Sequence, residues 1–259
     1  MASGDPQTDL FVQQFRSWWP YAAVLVLGAV LGGIGLVVGP GGLVVGVLVS
    51  IGVVVWTAWS TAGKQQQVEQ LRAWAVSREL TFRERAVVPG TTRLMRAGRY
   101  RRLDAGAAGQ VAGGRRGVAY YSWTVTRGET DSTLEATLAW AVLPARVGVQ
   151  RLCLATPIPG RRLQDALGSE RLVAVGPPSF RQRFAVEVDD AADDAALQRL
   201  FTPELVSWCL DQDDPALWVE LEGSLLVVVH AARTADPRVL DLLLARVDHL
   251  VTVWGQVEG

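Results

Sequence analysis

The side chains able to do acid–base, nucleophilic or metal chemistry are few and scattered in this chain. His230 closes an apolar run, and His249 follows Asp248. A histidine base needs an orienting carboxylate in contact and a nucleophile within reach. Adjacent residues of a helix point in different directions, so both histidines read as surface or internally satisfied residues. Cys153 and Cys209 lie in the apolar stretches Arg151-Leu-Cys-Leu-Ala and Ser207-Trp-Cys-Leu, where a thiol behaves as a small core hydrophobe. Their spacing does not suit zinc, and a structural disulfide would be unusual on a cytoplasmic face. Asp189, Asp190, Asp193 and Asp194 lack the glycine turn and terminal glutamate of a calcium loop; carboxylates collect at helix starts because they favour its positive end. No Gly-x-Ser-x-Gly, Walker, HExxH or paired Cys-x-x-Cys pattern occurs. The sequence predicts no catalytic residue, no metal ligand and no cofactor, and an enzyme would need a site that the sequence does not signal.

The distribution of charge says more. The net charge over 259 residues is −1, which gives no bulk attraction to nucleic acid. Yet residues 64–127 carry thirteen basic and four acidic side chains, whereas residues 187–222 carry one basic and eleven acidic. Arg93, Arg96, Arg99, Arg101, Arg102, Arg115 and Arg116 are candidates for contact with an anionic lipid leaflet, where each basic residue near the surface is worth about 1 kcal/mol. Two alternatives stand beside that reading: solvated loop charges, or ion pairs with the acidic segment. Tyr100, Tyr120, Tyr121 and Trp123 interleave with the arginines as base-stacking residues would, but alternation in a strand sends many of them to a core. No nucleic-acid partner is expected.

What brings these arginines near a membrane is the segment ahead of them. Trp19 to Val38 and Leu43 to Trp59 are both free of charge. As helices they would reach roughly 30 and 26 Å, close to the hydrocarbon thickness of a bilayer. Gly39-Pro-Gly-Gly42 between them is a turn, so a transmembrane helical hairpin is predicted. The residues ahead of the first run hold Asp5, Asp9 and one Arg16, unlike the basic start of a secretory signal. Positive charge follows the second span at Lys64, Arg72, Arg78, Arg83 and Arg85, and the hairpin loop has none, which puts both termini in the cytoplasm. Trp18, Trp19, Trp56 and Trp59 would anchor the two spans at that same interface. The four-residue spacings among Gly28, Gly32, Gly35, Gly39, Gly42, Gly46 and Ser50 suit close packing of helix backbones.

The remainder reads as a soluble domain. Helical spacing over Lys64 to Leu80 continues the second span outward. Strands are expected at Gly109–Val111, Gly117–Thr126, Leu134–Leu143, Gln150–Ala155, Arg171–Val175 and Phe180–Val188, with a hairpin turn at Gly113-Gly114. Asp189 or Asp190 is expected to cap a helix through Leu197 and Leu200, and Thr202-Pro203-Glu204 to restart it. Leu217–Leu221 and Leu225–His230 form a hairpin about Glu222-Gly-Ser224, and Asp236-Pro237 opens a last helix striped by Leu240, Leu243, Leu244, Val247, Leu250, Val251 and Trp254. The expected fold class is α+β: a two-helix transmembrane hairpin, then a soluble domain with a mainly antiparallel sheet and a few helices. The expected boundaries are a cytoplasmic tail (1–17), the hairpin (18–60), a juxtamembrane helix (61–84) and the cytoplasmic domain (85–259).

Phe180-Arg-Gln-Arg-Phe-Ala-Val186, Asp189-Asp190, Leu200-Phe-Thr-Pro-Glu-Leu205 and the leucine-rich hairpin and helix beyond them carry a resemblance. The chain resembles a bacterial membrane protein family of actinobacterial type, whose members place two transmembrane segments before a cytoplasmic α+β domain without an established activity. The layout matches over most of residues 15–254 and the motifs over 180–254. The resemblance implies the architecture and carries no reaction. On these grounds the expected role is a membrane-anchored binding or scaffolding module whose partners are membrane lipids and a protein or membrane complex. An accessory subunit of such a complex is the alternative.

Overall fold

The structure is a computed structural model and describes residues 52, 62–111, 114–127, 130–144, 147–156, 171–189, 192–212 and 217–255. The two hydrophobic runs lie outside the described residues, and with them the small residues from Gly28 to Ser50 and the tryptophans Trp18, Trp19, Trp56 and Trp59. Among the described residues no helix is long and apolar enough to cross a membrane. The chain divides into two compact units, Met1–Gln66 and Gln67–Gly259. The second of these units contains the sheet.

Nine described strands make one antiparallel sheet: β1 (Thr81–Arg83), β2 (Arg99–Val111), β3 (Gly114–Arg127), β4 (Thr130–Val142), β5 (Arg151–Ala155), β6 (Arg171–Val173), β7 (Ala185–Val188), β8 (Trp218–Glu222) and β9 (Leu225–His230). Their spatial order is β1-β2-β3-β4-β9-β8-β5-β7-β6. The expected α+β class with a mainly antiparallel sheet is what the domain has. The helices are α1 (62–77), α2 (Arg93–Arg96), α3 (Pro178–Arg183), α4 (Asp194–Leu200), α5 (Pro203–Leu210) and α6 (Pro237–Gly255).

Alternation divides the strand residues between two faces. On one face Val118, Tyr120, Leu152, Leu154, Val219 and Val228 join a cluster with Leu71, Trp74 and Ala75 of α1 and with the α6 stripe from Leu240 to Trp254. The opposite face holds a smaller cluster of Tyr121, Trp123, Leu138, Trp140 and Val227, covered by Val88, Leu94 and Met95 of the segment that carries α2. Each of these residues is withdrawn from water, at about 1.5–3 kcal/mol per large apolar side chain.

Several local expectations hold. Thr202 caps α5 by accepting from the Leu205 amide, with Pro203 in the first turn. Asp236 accepts from the Arg238 amide at the start of α6. Gly223 takes φ +61° in the two-residue turn joining β8 to β9. Cys153 and Cys209 are buried thiols, as their apolar settings imply.

Other expectations are corrected. Phe180–Arg183 is helical, not extended: Pro178 sits in the first turn of α3, and Phe180 is buried in the main core, so only Ala185–Val188 pairs as a strand. Asp193, not Asp189, caps α4, accepting from the Ala195 amide. Strands β2 and β3 are far longer than their apolar runs, because ladder pairing extends through Arg99, Arg102, Arg115 and Arg116.

Candidate functional site

The arginines of the basic segment fall into three places. Arg99, Tyr100, Arg101 and Arg102 open β2. Arg99 pairs in register with Thr124 and Arg102 with Ser122, so two residues of β2 oppose one of β3 and form a bulge. Tyr100 adopts φ +48° there and is 82% exposed. Gly98, at φ +72°, permits the entry: a Cβ at this position would meet the Thr124 carbonyl oxygen at 2.6 Å. Arg101 Nη1 donates to the Arg96 carbonyl at 2.8 Å, and Arg102 pairs with Asp104. Arg99, Arg101 and Arg102 are all exposed. The bulge thus turns an aromatic ring and three guanidinium groups outward at one end of the sheet.

Arg115 and Arg116 stand at the other end of the β2–β3 hairpin. Seven residues along β3 separate Arg115 from Ser122, the register partner of Arg102, or about 23 Å at 3.3 Å per residue. Arg116 pairs with Asp248 of α6, and the Arg115 guanidinium lies 5.6 Å from the Trp140 ring.

Arg93 and Arg96 form the third group, and both meet the acidic segment. Arg93 Nη1 donates to Glu187 at 2.9 Å, and Arg96 makes two bonds of 2.6 Å to the Glu222 carboxylate. Between them the Leu94 amide donates to Glu220 at 3.0 Å, and Trp218 Nε1 donates to the same carboxylate at 3.1 Å. Burial pushes the Glu220 carboxyl above the ordinary carboxylate range, opposed by the neighbouring Thr92 hydroxyl, the Leu94 amide, Trp218 and Arg93. The seven arginines named from the sequence therefore do not share one surface.

The direction of α1 distinguishes the two exposed groups. The Tyr120 hydroxyl donates to the Gln67 carbonyl at 3.4 Å, while Leu80, just beyond the helix, packs over Gly109, where a Cβ would meet its side chain at 2.8 Å. Tyr120 lies next to Tyr121, the register partner of Leu103, and Gly109 pairs with Arg116. Helix α1 thus runs along the sheet with Gln67 toward the Arg99–Arg102 bulge and Leu80 toward Arg115 and Arg116. It is fixed there by Trp74 Nε1 and by Arg78, which bond Asp241 at 3.0 Å and 2.9 Å.

The histidines do not assemble a base. His249 stacks on Trp208 with ring centroids 4.5 Å apart, and burial holds it below its ordinary value against the attraction of Glu204. Its neighbour Asp248 is engaged by Arg116. His230 ends β9 opposite Thr137. Asp194 pairs with Arg171, Asp189 accepts from the Arg151 amide, and Asp190 lies outside the described residues. Among the described residues, no three His, Cys, Asp or Glu converge as metal ligands would.

The sequence reading missed Glu187 and Glu220. In Ala185-Val-Glu-Val188 and Trp218-Val-Glu-Leu-Glu222 each glutamate alternates with apolar residues, the pattern of a strand with one wet face. The α2 segment, contributed from about 90 residues away in the first case and over 120 in the second, covers that face. A paired arginine two residues from a buried amide donor was the available signal, and it acquires meaning only once the pairing is known.

No family model matches the chain, and no curated protein matches it. Among solved structures, the chain is similar to the crystal structure of the mycobacterial trehalose monomycolate transport factor A, TtfA. That likeness has 16% identity and a TM-score of 0.47, over 74% of this chain and 93% of that one.

Proposed function

We propose that this protein is a membrane-anchored binding or scaffolding module: two spans at the N-terminus hold the α+β domain at the cytoplasmic leaflet, and the Arg99–Arg102 bulge rests against anionic lipid. The observation that carries the reading is the direction of α1. The chain enters the domain at Gln67, on the side of the bulge, and the rest of the helix is built into the core through Leu71, Trp74 and Ala75. Exposed positive charge on the side at which the chain enters this unit supports a lipid contact there. Three exposed guanidinium groups and an exposed tyrosine are the residue types that favour an anionic interface. Arg93, Arg96 and Arg116 serve the domain's own ion pairs and are not part of the proposed lipid contact, and Arg115 lies at the distal end.

The proposed role is binding and not catalysis. Glu187 and Glu220 lie beneath the α2 segment, and His249 is packed on Trp208. Confinement to a surface raises the effective concentration of whatever the domain meets there, without any new contact. Protease treatment of the full-length protein carrying a C-terminal tag tests the placement. Loss of the tag in inverted membrane vesicles, with protection in intact spheroplasts, is the expected result. Digestion in spheroplasts would overturn it.

A further inference from the structure

The two edges of the described sheet are defended differently. An open strand edge is a template for pairing with another chain, and folded proteins blunt it with charge, proline or a bulge. At and just after β1 the exposed Arg83, Glu84 and Arg85 serve this purpose, and the open stretch of β2 carries its bulge. At the opposite edge, β6 has no strand on its outer side among the described residues. Its one charged residue is Arg171, whose guanidinium turns back to the Ala192 carbonyl at 3.0 Å and to Asp194 at 3.1 Å. Leu172, next to it, is 58% exposed.

Beside this edge runs a groove of about 490 Å³. One wall is β6 with its continuation to residue 176. The other is a single face of α4 and the residue after it, formed by Asp194, Leu197, Gln198 and Phe201 at spacings of three and four. Leu197 and Phe201 are buried, Val173 and Val175 are partly buried, and the floor is therefore apolar. Gly176, at φ +69°, bends the chain toward α3 at one end, and the Arg171–Asp194 pair stands at the other. From Arg171 to Gly176 an extended chain covers about 17 Å at 3.3 Å per residue.

We propose that this groove receives an extended segment of a partner protein as a further strand on β6, with apolar side chains at every second position over Leu197 and Phe201 and a basic residue at the Asp193–Asp194 end. Strand pairing requires an extended backbone, and alternation sends every second side chain to the α4 side. Asp193 and Asp194 set two exposed carboxylates against one guanidinium, so that end of the groove keeps an excess of negative charge. A second copy of this chain is the poorer occupant. Its β6 brings only Arg171, already held by its own Asp194, and pairing about a two-fold axis would carry its α4 onto the same face. The groove lies at the other edge of the sheet from β2, so it is separate from the lipid contact proposed above.

A displayed library of short linear peptides, selected on the full-length protein in detergent micelles, supplies the probe. Selection should converge on apolar residues at alternate positions with Lys or Arg at one end. A selected peptide should slow hydrogen exchange at those amides of 171–175 that do not pair with β7. N-methylation of its backbone at alternate residues should abolish binding in one phase and spare it in the other. Gln198→Trp, which fills the groove from an exposed position, and Asp194→Lys should each weaken binding by about tenfold or more while exchange in α6 stays level. Selection that yields no such peptide, binding indifferent to N-methylation, or equal binding to Gln198→Trp overturns the proposal. So does slow exchange at the same amides in the protein alone, which would show the edge already paired, by this chain or by a second copy. If a variant loses protection in α6 and so fails to fold, N-methylation and the wild-type exchange decide.

Discussion

Arg93 and Glu187 are joined at 2.9 Å beneath the surface, with side chains only 12% and 5% exposed. The bond ties residues 94 positions apart and fixes the α2 segment to β7, the strand next to the edge of the sheet. Removing one member leaves a buried charge without its counterpart, which costs several times more than removing both. Arg93→Met or Glu187→Leu alone should lower unfolding stability by about 3–5 kcal/mol, and the double variant by markedly less. Chemical denaturation of the four proteins measures the cycle; additive losses would show the pair to be energetically independent.

Two positions hold left-handed backbone with opposite residue choices. Helix α1 ends with the Leu80 amide donating to the Ala75 carbonyl at 2.9 Å, while Glu79 sits at φ +57° where glycine is the usual occupant. Glu79→Gly should therefore raise stability by about 0.5–1 kcal/mol. Gly98→Ala should lower it by about 1–3 kcal/mol, because its Cβ would press on the Thr124 carbonyl and the Trp123 ring. Thermal unfolding separates the two signs.

Asp241 links α6 to α1, and its carboxyl is held below the ordinary range first by the Arg78 hydrogen bond, with Trp74 adding to the effect and burial opposing it. A depressed folded value means that the proton prefers the unfolded chain. The contribution is present above the ordinary value of 3.8 and is lost as pH falls through the lowered one. Asp241→Asn should therefore lower stability modestly at neutral pH, make little difference once pH has fallen below the lowered value, and so remove that part of the acid limb of the stability profile. Denaturation midpoints from pH 2 to 7 report it. The pair is exposed, so the slope is shallow.

The sequence made the α+β class, the β8–β9 hairpin, the α5 cap and the α6 stripe legible because each depends on neighbours a few residues apart. Thr202-Pro203-Glu204 and Asp236-Pro237 carry their own chemistry, whatever packs on them. The site did not yield in the same way. Arg93 and Arg99 are alike in the sequence, yet one pairs with Glu187 under a covered face and the other is exposed beside a bulge. That difference is set by strand order and register, which bring residues over 90 apart into contact. Glu220 shows the same limit: alternation tells that it faces away from Val219 and Leu221, and only the fold tells what covers that side.

The central claim, that the Arg99–Arg102 bulge faces anionic lipid, is tested most directly by placing a probe at its exposed centre. Cys153 and Cys209 are buried, so Tyr100→Cys in the full-length protein takes a thiol-reactive fluorophore at one accessible position, and Gln198→Cys, exposed on α4, provides the reference. After reconstitution into vesicles containing anionic lipid and a nitroxide-labelled lipid, quenching at position 100 should be strong. It should fall in zwitterionic vesicles and at high salt, and stay weak at position 198 throughout. Equal quenching at the two positions, or quenching at position 100 that ignores lipid charge, would contradict the claim.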